Sequence, residues 1–336
     1  ISIYNWGDPS IPGISDIDIL LVFKTGKTNS LPILNRSFYF LDAKTRYLVR
    51  HPFVFTDEYS FKKVRYIYPN TDFKLLHGNN LQIDKLSSDD LYYSKIALLN
   101  DIIIRHYPRD FIEQFVDKNI NTRDTLLRLN SLKYSIKILE SITKEKNAIW
   151  DNKLILIENL RKNWFRKKDF DLLALLNEES VHITMGIIEK FRIFLIRNDL
   201  VKVNYGNNIR YNGIKNMSLF VKNWDKAKAL QEMSKIIKNK QRFRSILPFE
   251  LSAQLIEYSK HDGLISEYIR KNISNDISYQ LKYKKMIENR ICILNKQAQL
   301  ASKLMHSDFA AFFDFGYRNK SGINNWVLNL SDMLRF

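Results

Sequence analysis

The sequence predicts an α+β protein: an N-terminal domain of short strands and helices, then a mostly helical region interrupted by a small β-hairpin. Three observations predict it. Residues 1 to about 82 carry short apolar runs separated by turns. From LSSDD, residues 86–90, onward, long segments place apolar residues at helical spacing. LVKVNYGNNIRYNGIKNMSLFVKNW, residues 200–224, breaks that texture with β-rich runs around Gly206-Asn207-Asn208 and reads as a hairpin with a third strand. These shifts divide the chain into residues 1–84, 85–200 and 201–336.

The first strand candidate is PGISDIDILLVF, residues 12–23. Strand alternation sets Asp16, Asp18, Leu20 and Val22 on one face and Ile17, Ile19, Leu21 and Phe23 on the other. A helix follows in SFYFLDAKTRYLV, then strands in HPFVFT (51–56) and DFKLLHG (72–78). Ser87 or Ser88 is placed to cap YYSKIALLNDIIIRHY, which stops near Pro108. Thr122 is read as opening the next helix, with Leu126, Leu129, Leu132, Ile136 and Leu139 on its apolar stripe. Further helices are expected in 151–165, 171–178, 182–196, 225–240 and 249–261, and from Tyr279 to Met305; the tail after Asp308 is rich in aromatics.

The chain of 336 residues, 45% hydrophobic, is long enough to bury a sizeable core. No run approaches the roughly 18 to 20 apolar residues that cross a bilayer, and no signal-peptide pattern opens the chain, so a soluble cytoplasmic protein is expected. Cys292 is the single cysteine, which excludes an intramolecular disulfide and a cysteine-based zinc site; its apolar neighbours in RICILNK read it as core. Lys and Arg outnumber Asp and Glu by 53 to 36, an excess that attracts polyanions such as nucleic acid or nucleotides. Basic residues interleave with aromatics in three clusters, Arg161 to Lys168 around Trp164, Lys238 to Arg244 around Phe243, and Lys282 to Arg290 around Tyr283. Such clusters suit single-stranded nucleic acid, and equally a solvated helix face with its ring turned inward.

Two carboxylates at the head of an apolar strand need a counter-charge, and a divalent cation with oxygen ligands supplies it. Upstream, SIYNWGDPSIPGIS reads as a loop whose small residues let backbone N–H groups approach a polyphosphate. An EF-hand is excluded because apolar residues stand where that loop needs oxygen ligands. KTGKTNS, residues 24–30, is a polar turn rather than a P-loop, since Leu21 occupies the position of the first glycine.

SIYNWGDPSIPGISDIDILLVF, residues 2–23, resembles the signature of the DNA polymerase β-type nucleotidyltransferase superfamily, a Gly-Ser turn and a short loop followed by Asp-hydrophobic-Asp-hydrophobic on a strand. The resemblance implies a mixed-sheet catalytic domain. It also implies Asp16 and Asp18 as ligands of Mg²⁺ (or Mn²⁺), Ser2 as the turn serine facing the triphosphate, and Gly7, Asp8 and Ser15 in the nucleotide-binding loop. A nucleoside triphosphate would then give its NMP to an acceptor hydroxyl, on an RNA end, a protein or a small molecule, with release of pyrophosphate. Ile1 stands where the family carries glycine, and the element upstream of the turn is read as absent or trimmed. The family's third carboxylate is expected in HPFVFT, which offers His51 as a base; Asp57, Glu58 and Asp72 are the nearest acidic substitutes. Two other readings stand beside this one: a non-catalytic relative that binds nucleotide or RNA, and a basic helical nucleic-acid-binding protein in which Asp-Ile-Asp is incidental.

Overall fold

The computed structural model describes residues 1–24, 42–49, 54–107, 120–204, 209–212, 217–222, 224–238, 243–258 and 277–303. In chain order the elements are β1 (Ser2–Asn5), β2 (Ile19–Phe23), α1 (Ala43–Val49), β3 (Val54–Asp57), α2 (Glu58–Lys62), a 3₁₀ turn (Val64–Tyr66) and β4 (Lys74–His77). Then follow α3 (Ser88–Tyr107), α4 (Thr122–Thr143), α5 (Ala148–Asn163), α6 (Phe170–Arg197), β5 (Val201–Val203), β6 (Ile209–Asn212) and β7 (Met217–Lys222). The last are α7 (Lys226–Lys238), β8 (Phe243–Pro248), α8 (Phe249–Tyr258), β9 (Ile277–Tyr279) and α9 (Leu281–Lys303). The α+β class holds: a small mixed sheet of four strands accompanies a mostly helical remainder. No described helix is long and apolar enough to cross a membrane.

The chain divides into two units, one of Ile1–Ser94, Glu257–Arg270 and Met286–Phe336, the other of Lys95–Ile256 and Lys271–Lys285. The first holds the sheet, in the order β3-β2-β1-β4. Its β1 lies antiparallel to β2 and β4, while β2 and β3 run parallel with Phe23 opposite Asp57. Leu20, Leu21, Val22 and Phe23 are all buried, so the expected apolar run is covered on both faces of β2. Tyr4, Val54, Phe55 and Phe61 complete this core, Tyr4 stacking on Phe61 at 4.6 Å. Tyr4 also keeps its hydroxyl satisfied, donating to the Asn79 carbonyl at 3.2 Å and accepting from the Leu81 N–H at 2.8 Å.

From Met286 onward α9 belongs to this same unit. Ile291, Ile293 and Leu294 are buried there, whereas Cys292 is exposed, which corrects its reading as core. Apolar neighbours along the chain say little at 3.6 residues per turn, because the next residue points about 100° away. Arg290 has 0% exposure, and its guanidinium donates to the carbonyls of Tyr66 and of Ile67.

In the second unit α4, α5 and α6 pack together. The expected stripe of Leu126, Leu129, Leu132, Ile136 and Leu139 is buried, facing an α6 stripe that includes Leu176, Val181, Ile187, Ile188 and Phe191. Side-chain caps start each helix: Asn121, Asn147 and Asp169 accept from the N–H of Asp124, Trp150 and Leu172. Thr122 is therefore the first helical residue and Asn121 the cap. Two separately expected helices, 171–178 and 182–196, are one helix, since nothing between them breaks the helix. At α3 the cap is Ser87, whose Oγ accepts from the Asp90 N–H at 3.0 Å.

The expected hairpin is rearranged. β5 pairs with β9, Val201 opposite Tyr279, while β6 pairs with β7 and β7 runs parallel to β8, a strand the sequence reading did not assign. Gly206-Asn207-Asn208 lies outside the described residues.

Gln254, 1% exposed, donates to the Ala97 carbonyl and to Asp101 Oδ1, and accepts from the Tyr283 hydroxyl at 2.9 Å. This chain of bonds joins α3, α8 and α9 inside the second unit.

Replacing Arg290 by Met keeps most of the volume and strips donors from the two carbonyls. Arg290→Met is expected to cost about 2–4 kcal/mol, the range for losing charge-assisted bonds and leaving buried acceptors bare. Urea denaturation followed by circular dichroism measures it; an unchanged midpoint would count against this role.

Candidate functional site

The candidate site lies where β2 enters the sheet. β1 ends at Asn5 opposite Ile19, and one further bond, Trp6 N–H to the Asp18 carbonyl at 3.2 Å, carries the ladder to Asp18. Asp16 and Asp18 therefore stand in the segment leading into β2, not within the strand as expected, because the partner strand bends away at Gly7. Both are partly exposed. That position relieves the problem of two buried charges: the carboxylates stay hydrated while the apolar run behind them is buried.

The loop between the strands is tied down at several points. Asn5 Oδ1 accepts from the Gly7 N–H at 3.3 Å, an Asx-type turn. A Cβ placed on Gly7 would overlap Asp18 Oδ2 and stand 2.9 Å from its Cγ, so only glycine lets the Asp18 carboxylate lie against this backbone. Gly13 has φ of 81°, and its carbonyl accepts from the Tyr47 hydroxyl of α1 at 2.7 Å. The Ile17 N–H donates to the Leu48 carbonyl at 2.9 Å, so α1 braces both sides of Asp16.

Ser15 is buried, its N–H donating to the Ile11 carbonyl at 2.9 Å and its Oγ accepting from the Ile11 N–H at 3.4 Å. Those bonds close the loop. Asp8 is exposed at the loop's outer side. Ser2 is a strand residue of β1 rather than a turn residue, buried, with its hydroxyl donating to the Asn79 carbonyl at 2.7 Å. His51 lies outside the described residues.

The acidic substitutes are distributed by strand direction. Asp57 ends β3 opposite Phe23 and caps α2, accepting from the Ser60 N–H at 2.8 Å, with Glu58 next to it. It lies at the far end of β2 from Asp18, about 16 Å away for five strand residues. Asp72 precedes Lys74, which pairs with Asn5, so it shares the sheet end of Asp18; β1 intervenes, and two strand spacings make about 10 Å. Among the described residues no group of three His, Cys, Asp or Glu side chains is set to hold a metal ion. Asp16 and Asp18 with the glycine cradle fit the one or two carboxylates that Mg²⁺ takes from a protein.

The basic clusters are partly internal. Arg161 and Trp164 are buried, Lys162 pairs with Glu158 at 2.5 Å, and Lys167 pairs with Asp169 at 3.1 Å. Tyr283 and Arg290 are buried as well, while Lys240 and Arg242 lie outside the described residues. The ring-inward arrangement thus describes Trp164 and Tyr283.

Sequence reasoning missed Asn5 and Tyr47, which hold the loop. Asn two residues before Gly was a readable turn signal; nothing local pointed from Tyr47 to Gly13. No family model matches the chain, and no curated protein or solved structure matches it.

Gly7→Ala is expected to displace the Asp18 carboxylate and weaken Mn²⁺ binding about tenfold or more, the loss typical when a ligand's support is removed. Electron paramagnetic resonance titration of Mn²⁺ reads it, with Asp18→Asn as reference; wild-type affinity in Gly7→Ala would remove the cradle from the argument.

Proposed function

We propose that the chain is a nucleotidyltransferase that moves an NMP from a nucleoside triphosphate to an acceptor hydroxyl and releases pyrophosphate. The observation that carries this reading is the Asp16-Ile17-Asp18 segment at the entrance of an inner strand of a small mixed sheet, facing a loop whose Gly7 backbone adjoins the Asp18 carboxylate. The likeness of residues 2–23 to the polymerase β-type signature supports the same chemistry.

In this reading Asp16 and Asp18 offer carboxylate oxygens to Mg²⁺. When bound, that ion would lower the charge on the phosphates and on the attacking oxygen. The chain's own part is positional. The tether from α1 through Leu48 and Tyr47 holds the aspartates and the loop in register, and the Asn5 amide fixes Gly7 for close backbone approach. Ser15 closes the loop through the bonds its N–H and Oγ make with Ile11. RNA, a protein hydroxyl or a small molecule could each accept the NMP. The second reading, a non-catalytic relative that binds nucleotide, is favoured by the distance of Asp57 and Asp72 from the pair.

Pyrophosphate release from each of the four ribonucleoside triphosphates, with Mg²⁺ or Mn²⁺ and total cellular RNA and protein as acceptors, separates the two. Wild type is expected to release it, and Asp16→Asn or Asp18→Asn to lose at least a hundredfold of the rate, as expected when electrostatic stabilisation of the transition state is removed. Nucleotide binding without release from any variant would favour the binder.

A further inference from the structure

At the opposite end of β2 from the aspartates, three side chains of the first unit converge. Tyr59 of α2 is half-buried, and the Lys63 ammonium donates to its hydroxyl at 2.9 Å while standing 4.6 Å from the ring centroid. Lys296 of α9 lies over the same ring, 3.3 Å from the centroid. Cys292 is exposed on the same helix, one turn before Lys296. The two lysines come from parts of the chain more than two hundred residues apart, brought together by the docking of α9 through Arg290.

Like charges repel, and two ammonium groups held on one phenol cost free energy in the absence of an anion. Tyr59 meets part of that cost: its hydroxyl is held below the usual tyrosine range, chiefly by the bond from Lys63 and then by the neighbouring Lys296 ammonium. Lys63 is correspondingly raised, first by Tyr59. Among the described residues no carboxylate pairs with either lysine. An oxyanion with several acceptors matches three donors, two of them cationic, better than one phenol oxygen does.

We propose that Tyr59, Lys63 and Lys296 form a second anion site that binds a phosphate group, separate from the Asp16/Asp18 site and reporting its occupancy at Cys292. The ligand is a phosphate, free or as the phosphodiester of a nucleic-acid strand. This site does not depend on the proposed transferase activity, since it is built from different residues at the other end of the sheet.

Cys292, the single cysteine, makes the test direct. Alkylation of the full chain by N-ethylmaleimide, a neutral reagent, is timed against increasing inorganic phosphate, a single-stranded oligoribonucleotide, or sodium chloride at matched ionic strength. Saturable slowing by phosphate or oligonucleotide is expected, with no matching effect of chloride. The midpoint should rise at least tenfold in Lys63→Gln and in Lys296→Gln, be restored in Lys63→Arg, and stay unchanged in Asp16→Asn/Asp18→Asn. An oligonucleotide acting at far lower phosphate concentration than the free ion identifies a strand as the source; equal midpoints identify free phosphate. Protection that is absent, or that survives both Gln substitutions, overturns the site. Protection lost in the aspartate variant would overturn its independence.

Discussion

A guanidinium with no exposure to water survives only where its donors are taken, and Arg290 solves this by giving them to the carbonyls of Tyr66 and Ile67. Those carbonyls end a 3₁₀ turn, where the helical pattern leaves acceptors without partners. One side chain thus meets two needs, and in doing so clamps α9 to the segment that follows β3. The clamp spans most of the chain, so the N-terminal sheet unit is finished only when a C-terminal helix arrives. From Arg290 to Lys296 the helix advances about 9 Å, which carries Lys296 to Tyr59.

The same unit owes its other end to β2. Burial of Leu20 to Phe23 on both faces requires partners on both edges, and β1 and β3 supply them. The parallel pairing with β3 sends the strand ends in fixed directions: Asp18 at the entrance of β2, Asp57 at the exit of β3. Two chemically distinct ends result, one acidic and glycine-lined, the other carrying lysines around a tyrosine. The acidic end stays near water because β1 turns aside at Gly7 before the ladder reaches Asp16.

Much of the helical region was legible because its signals are local. The stripe from Leu126 to Leu139 repeats at three and four residues, whereas the caps Asn121, Asn147 and Asp169, also local signals, went unread. Strand pairing was less so: Val201–Val203 falls within the stretch read as β-rich, but its partner Ile277–Tyr279 is three residues long and far along the chain, so no local pattern joins them. β8 was hidden because Phe243 and Arg244 read as a basic aromatic cluster, and a strand beside a parallel partner needs no polar alternation.

Residue order alone determined the α+β class, the apolar run that forms β2, and the major helices, since propensity and periodicity act between residues a few positions apart. Tertiary structure decided which polar groups meet. It laid Gly7 against Asp18, turned Ser2 and Ser15 to backbone partners, exposed Cys292, and set Lys296 over Tyr59. Those outcomes depend on strand direction and on where a helix docks, and both are settled by contacts between residues that no local pattern connects.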